Sequence, residues 1–98
     1  MKIMIVDDER IASEELYDIC LSHPIIKEAN AFNNPAEALY FISEHNDIDI
    51  AFLDIEMPVM TGLELAKKIN EINNSTKIVF VTGFKEYAYD AYRVNAIG

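Results

Sequence analysis

Four oxygen-bearing side chains follow short apolar runs of the sequence. The first run leads into Asp7 and Asp8, a second leads into Asp54, and a third leads into Thr82. Runs of this length, flanked by residues that break helices, predict buried strands. A carboxylate at the end of a buried strand is costly unless a cation or a hydrogen-bond donor meets it. Function is therefore to be sought at these strand ends, and first at Asp54.

The chemistry follows if the strands before Asp8 and Asp54 are neighbours in one sheet, because three carboxylates then meet in one crevice. Acids this close repel one another, and a hard divalent cation relieves the conflict. Mg²⁺ fits, since it prefers one or two carboxylates together with water and a phosphate. The set predicts phosphoryl transfer in which Asp54 attacks phosphorus and Thr82 donates a hydrogen bond to a phosphoryl oxygen. Asp8 would hold the metal, with Asp7 supporting it.

The rest of the sequence alternates apolar runs with segments of helical periodicity. The predicted strands are residues 2–6, 25–32, 50–53 and 77–81, and the predicted helices are residues 9–22, 34–45, 61–73 and 84–95. Strand and helix in alternation predict an α/β domain with a parallel sheet and right-handed crossovers. Polar side chains within the second strand place that strand at a sheet edge.

Helix starts and inward faces follow from the same pattern. Asn34 is predicted to cap the second helix with Pro35 in its first position, and residues 61–64 form a capping box for the third. Loop-shaping and packing roles are expected of Met57, Pro58, Met60 and Gly62. The side chains expected to face the sheet from the first and third helices are Ile11, Ala12, Leu16, Ile19, Cys20, Leu65, Ala66, Ile69 and Ile72.

Size and charge restrict the partners that this segment can have. The 98 residues predict one small domain, and 51% of them are apolar, as in folded soluble domains. A net charge of −9, from 17 acids against 8 bases, repels phosphate backbones and anionic lipid. Neither nucleic-acid nor membrane binding is therefore expected of this segment. A single cysteine, Cys20, cannot form an internal disulfide, and with no signal peptide or membrane span in the sequence a cytoplasmic location is expected.

Three segments together resemble the receiver domain of two-component response regulators: Val6-Asp7-Asp8-Glu9, the D-x-x-M-P-x-M-x-G loop that begins at Asp54, and Val81-Thr82. They occur in the family's order and at its spacing, and the resemblance covers the whole chain. It implies a flavodoxin-like, doubly wound parallel sheet with strand order 2-1-3-4-5. The stretch 82–92 further resembles receivers attached to LytTR-type DNA-binding domains, which implies control of transcription by an output domain.

The resemblance also implies roles for individual residues. Asp54 would be phosphorylated from the phosphohistidine of a sensor histidine kinase. Mg²⁺ would be bound by Asp8, Asp54 and the backbone carbonyl of Glu56, with Asp7 beside them, and Thr82 would contact the phosphoryl group. Such a domain is a signalling module in a phosphorelay with at most slow self-dephosphorylation, not a turnover enzyme.

The sequence departs from the family pattern at its end. A complete receiver continues with a fifth strand that carries a switch aromatic, a lysine and a last helix, whereas this sequence stops at Gly98. Residues 1–98 are therefore expected to form a C-terminally truncated receiver with strands in order 2-1-3-4, which binds metal and accepts phosphate poorly. Loss of the last helix would uncover roughly five core side chains at about 1.5–3 kcal/mol each, which predicts a homodimer, intertwined or paired through sheet edges.

Other interpretations stay open for the same residues. Asp7 and Asp8 would also serve as helix-capping acids, and Thr82 as the cap of the last helix. A second interpretation is a receiver-like interaction domain that acts without phosphorylation. A Mg²⁺-dependent phosphohydrolase is a third possibility, with Glu56 as general acid two residues past the nucleophile Asp54.

Two further groups have weaker functional interpretations. His45, Asp47 and Asp49 have a faint resemblance to a metal-ligand cluster in a polar turn. Tyr89 and Arg93, four residues apart on the outward side of the last helix, are candidate partner contacts.

Overall fold

The computed structural model describes residues 1–81, which form one parallel β-sheet with helices on both faces. Its elements in chain order are β1 (Lys2–Val6), α1 (Arg10–Leu21), β2 (Glu28–Phe32), α2 (Pro35–Glu44), β3 (Ile50–Asp54), α3 (Gly62–Ile72) and β4 (Lys77–Val81). All seven were predicted from the sequence, although β2 begins three residues later than expected. Thr82, the predicted helix at 84–95, and Tyr89 and Arg93 within it lie outside the described residues.

The sheet is parallel throughout, in the order β2-β1-β3-β4, which confirms the predicted topology. β2 lies at one edge, as its polar side chains predicted. The register places Val6 of β1 opposite Leu53 of β3. The residues that follow, Asp7 and Asp54, therefore reach the carboxyl edge of the sheet side by side.

β1 is buried on both faces because its side chains alternate between two hydrophobic clusters. Met4 and Val6 belong to the larger cluster, which lies between the sheet and helices α2 and α3. Ile3 and Ile5 belong to the smaller cluster, which lies under α1. All four side chains are at most 1% exposed. This strand therefore fixes the centre of the sheet and, with it, the starting point of the acidic loop that follows.

The predicted caps of α2 and α3 are confirmed. The Asn34 side chain accepts a hydrogen bond from the backbone N–H of Ala36 at 2.7 Å. In α3 the Thr61 hydroxyl accepts from the Glu64 N–H at 3.2 Å, and the Glu64 carboxylate accepts from the Thr61 N–H at 3.0 Å. This reciprocal pair satisfies two backbone donors at the start of the helix. It fixes where α3 begins, immediately behind the loop that follows Asp54.

Part of the predicted inward faces is wrong. Ile11 and Ile19 of α1 are 71% and 60% exposed, and Ile72, the last residue of α3, is 47% exposed. The polar Ser13 is buried instead, at 2% exposure. Periodicity marks an apolar stripe but not how the helix is rotated about its axis, and here the rotation places a hydrogen-bonded serine against the sheet. Within residues 1–81, no helix is both long and apolar enough to cross a bilayer.

Candidate functional site

Three carboxylates converge at the carboxyl edge of the sheet. Asp54 is the last residue of β3, and Asp7 and Asp8 open the loop between β1 and α1. One carboxylate oxygen from each of the three lies within 4.8 Å of the others. They meet because β1 and β3 are hydrogen-bonded neighbours, so their ends lie at the same edge. The structure thus brings together the three acids that the sequence singled out.

The cluster disfavours its own negative charge. Burial, together with the charges of Asp7 and Asp8, raises the pKa of Asp54 to about 6, while the backbone of Glu56 acts in the opposite direction. Burial, followed by the charge of Asp8, also raises the pKa of Asp7. The ion pairs found within residues 1–81 involve only Lys2 and Arg10, and they join these cations to other acids. In the described part of the chain, no cationic side chain offsets the repulsion.

This donor set fits a hard divalent cation. Two partly buried carboxylates, of Asp7 and Asp54, and the exposed carboxylate of Asp8 offer oxygen ligands within reach of a single ion. Carboxylate oxygens are ligands that Mg²⁺ prefers. A dication bound there would favour the ionised carboxylates and so lower the raised pKa values of Asp7 and Asp54. Glu56 follows in the adjoining loop with its side chain exposed. The predicted metal contact of its backbone carbonyl stays a prediction.

Gly62 backs directly onto the residue that ends β3. A β-carbon at this position would lie 2.1 Å from the Asp54 carbonyl oxygen and 2.9 Å from the Ile55 Cα. The Gly62 N–H also donates to the Ile55 carbonyl at 2.7 Å. Only glycine permits this approach, so the first residue of α3 buttresses the backbone of Asp54. The interpretation of Gly62 as loop-shaping is confirmed, and Met57, which is 7% exposed, packs into the core beneath the loop.

One residue beside the acids was overlooked in the sequence. The side-chain amide of Asn33, just past β2, donates to the backbone carbonyl of Asp7 at 2.8 Å and to the Ser13 hydroxyl at 2.9 Å. Asn33 and Asp8 also line a cleft of about 340 Å³, together with residues 34–36 and 58–60. The only sequence signal was a second asparagine next to the cap residue Asn34, and it gives no indication of a contact across the sheet.

The faint resemblance of residues 45–49 to a metal-ligand cluster has a structural explanation. Nδ1 of His45 lies 2.9 Å from the Phe41 carbonyl, and its ring stacks on that of Phe41 with centroids 4.1 Å apart. Asp47 forms an ion pair with the Lys2 ammonium, and Asp49 accepts from the Lys2 backbone N–H at 2.8 Å. These residues lie at the amino end of the sheet, and among residues 1–81 only Asp7, Asp8 and Asp54 form a cluster suited to a metal.

Comparison with known proteins agrees with this geometry. The family model described as "Response regulator receiver domain" matches residues 3–98. Sensory transduction protein LytT of Enterococcus faecalis is 34% identical over 96 residues, which are 98% of this chain and 39% of that protein. The chain spans between about a third and two fifths of the length of the curated relatives it matches.

Two solved structures are similar in fold as well as sequence. The response regulatory domain of MrkE from Klebsiella pneumoniae is 35% identical, with a TM-score of 0.83 over 99% of this chain and 79% of that one. Response regulator TrrA from Thermotoga maritima, solved in complex with Mg²⁺ and BeF, is 34% identical, with a TM-score of 0.79 over 97% of this chain and 80% of that one. With the family model matching nearly its whole length, the chain belongs to the receiver domains of response regulators, a family of signalling modules.

Proposed function

We propose that residues 1–98 act as the phosphoacceptor module of a two-component phosphorelay, in which Asp54 accepts a phosphoryl group from the phosphohistidine of a sensor histidine kinase. The observation that carries this proposal is the convergence of Asp7, Asp8 and Asp54 within 4.8 Å, with no described cationic side chain among them. Such a cluster is costly for a purely structural role. It suits a site that binds a dication and then a phosphoryl group.

The chain's own residues have distinct tasks in this reaction. Asp54 must be ionised to attack, and a carboxylate oxygen then bonds to phosphorus as the phosphorus–nitrogen bond of the phosphohistidine breaks. Mg²⁺, when bound, supplies positive charge to the phosphoryl oxygens. Asp8, Asp54 and the Glu56 carbonyl would hold it, with Asp7 in support. Gly62 keeps the backbone of Asp54 in place behind the site.

The finer parts of the proposal rest on the relatives. TrrA was solved with Mg²⁺ and BeF, which supports Mg²⁺ as the metal here. The name of LytT supports a role in sensory transduction, and we propose that the output is transcription through a LytTR-type DNA-binding domain, in the cytoplasm. A hydrogen bond from Thr82 to the phosphoryl group belongs to the same proposal. We also propose, from the sequence argument alone, that the chain forms a homodimer, intertwined or paired through sheet edges.

The test is phosphorylation by a small phosphodonor, read by intact mass. We expect a fraction of the chain to gain one phosphoryl group when Mg²⁺ is present, in the low yield that the sequence predicts for residues 1–98, and none when a chelator removes the metal. Asp54→Asn should gain none, whereas the matched control Asp49→Asn, an acid at the opposite end of the sheet, should behave as the wild type. Equal gain in Asp54→Asn would place the acceptor elsewhere. No gain in the wild type would favour an interaction domain that acts without phosphorylation, and steady hydrolysis of a generic phosphomonoester would favour a phosphohydrolase.

A further inference from the structure

Asn33 connects three parts of the chain around the acidic loop. Its side-chain amide donates to the Asp7 carbonyl at 2.8 Å and to the Ser13 hydroxyl at 2.9 Å. Ser13 is 2% exposed, and its hydroxyl donates in turn to the Arg10 carbonyl at 2.8 Å. One side chain from the end of β2 thus reaches both the start of the loop at Asp7 and the first turn of α1 where the loop ends.

The consequence is that the backbone of Asp7 is bonded on both sides. Its N–H donates to the Phe32 carbonyl at 3.0 Å, and its carbonyl accepts from Asn33. Phe32 therefore orients the peptide unit before Asp7, and Asn33 orients the peptide unit between Asp7 and Asp8. A third bond, from the Glu9 N–H to the Asp7 carboxylate at 2.9 Å, closes the turn.

These hydrogen bonds matter because electrostatic repulsion among the three carboxylates acts against the conformation that they hold. Repulsion between Asp7, Asp8 and Asp54 favours any motion that moves the loop away from β3 when no cation is bound. Groups that hold metal ligands in place from outside contribute to affinity because the site then needs no rearrangement on binding. We propose that Asn33 is a positioning residue that holds Asp7 and Asp8 against Asp54 and so pre-forms the cation site.

The structure offers a matched control at the other end of the sheet. The Thr76 hydroxyl donates to the Ile48 carbonyl at 2.7 Å, and Thr76 is 1% exposed. Thr76→Val removes a side-chain-to-backbone hydrogen bond of the same kind as Asn33→Ala, but far from the acids. A general loss of stability should appear in both variants, whereas a positioning effect should appear only in Asn33→Ala.

Two readouts test the inference, which rests on the Mg²⁺ site of the proposed function. By calorimetric titration, Asn33→Ala should bind Mg²⁺ about tenfold more weakly than the wild type, and Thr76→Val should bind it equally well. In metal-free protein, amide exchange at Asp7 and Glu9 should be about tenfold faster in Asn33→Ala and unchanged in Thr76→Val. Ser13→Ala removes only one of the two hydrogen bonds that Asn33 donates, so it should give a smaller change in the same direction. It replaces Asn33→Ala as the test variant if Asn33→Ala does not fold.

The outcomes are distinct. Wild-type Mg²⁺ affinity and wild-type amide exchange in Asn33→Ala would overturn the inference and leave the proposed function intact. Equal weakening in Asn33→Ala and Thr76→Val would also overturn it, because the cause would then be general destabilisation. A wild type that binds no Mg²⁺ would overturn the proposed function, and with it the role of Asn33 toward the metal.

Discussion

The acidic side chains at the two ends of the sheet lie in opposite electrostatic environments. At the amino end, Asp47 forms an ion pair with the Lys2 ammonium, and Asp49 accepts a hydrogen bond from the Lys2 backbone. The hydrogen bond and charge of Lys2 lower the pKa of Asp47. At the carboxyl end, the pKa values of Asp7 and Asp54 are raised, by burial first and by neighbouring acids second. The acids at the amino end have a cationic residue as partner, whereas no ion pair within residues 1–81 involves Asp7, Asp8 or Asp54.

The difference has a simple physical basis. A structural acid is stabilised when a cation or donor favours its ionised form, and it then adds to the stability of the fold. An acid cluster without such partners subtracts from stability until a ligand supplies the missing charge. The carboxyl end of this sheet therefore has the electrostatics of a binding site, and the amino end has those of a scaffold.

The largest effect is expected from Gly62→Ala, which would break the geometry of the carboxyl end alone. Its β-carbon would lie 2.1 Å from the Asp54 carbonyl oxygen, so β3 or α3 must shift. We expect a loss of about 3 kcal/mol in the free energy of unfolding, measured by urea denaturation. Val59→Ala in the same loop, where the side chain is 92% exposed, should change it by less than about 0.5 kcal/mol. Equal stability of Gly62→Ala and wild type would mean that the close contact is not as described.

A smaller effect, but of opposite sign at the two ends, should come from removing one charge. At pH 7.5 without metal, Asp54→Asn should raise the free energy of unfolding by about 1 kcal/mol, allowing for solvent screening of a partly exposed group. Asp47→Asn should lower it, because Lys2 loses its partner. Thermal or urea unfolding of both variants measures these two changes in the free energy of unfolding. Destabilisation by both substitutions would remove the contrast between the two ends.

The pH dependence of these two changes in the free energy of unfolding tests whether they arise from the charge of each aspartate. The pKa of Asp54 rises from 3.8 to about 6 on folding, so its favourable contribution is complete below about pH 3.8 and is lost as the pH rises through 6. The advantage of Asp54→Asn should therefore shrink as the pH falls from 7.5 to 4.5. Asp47 behaves in the opposite way, since its lowered pKa gives stabilisation above the unfolded value that is lost as the pH falls. Saturating Mg²⁺ at pH 7.5 should reverse the Asp54→Asn advantage.

The order and type of the described elements could be predicted from the sequence, for reasons that particular residues illustrate. Continuous apolar runs such as 2–6 and caps such as Asn34 and Thr61 are local signals, and local geometry obeys them. The rotation of α1 could not be predicted in this way. Ile11 and Ile19 fit an apolar stripe yet face outward, because the inward position of Ser13 depends on a hydrogen bond from Asn33, twenty residues away.

The candidate site, too, could be predicted from the sequence only in part. Asp7, Asp8 and Asp54 each follow a recognisable strand, and the parallel topology brings such ends together. Asn33 follows the edge strand β2 without any local feature that separates it from the cap residue Asn34. Its contact with the Asp7 carbonyl is a property of the register between β1 and β2, which the sequence pattern does not specify. The three acids could therefore be predicted from the sequence, whereas Asn33, which we propose positions two of them, could not.

The central claim is that a cation belongs at one end of this sheet and not at the other. The most direct measurement is an NMR titration with Mg²⁺ at pH 7.5 that follows the carboxylate carbons of the aspartates. We expect saturable shifts at Asp8 and Asp54, with Asp47 and Asp49 unchanged. Equal shifts at both ends of the sheet, or no saturable shift at Asp54, would contradict the account.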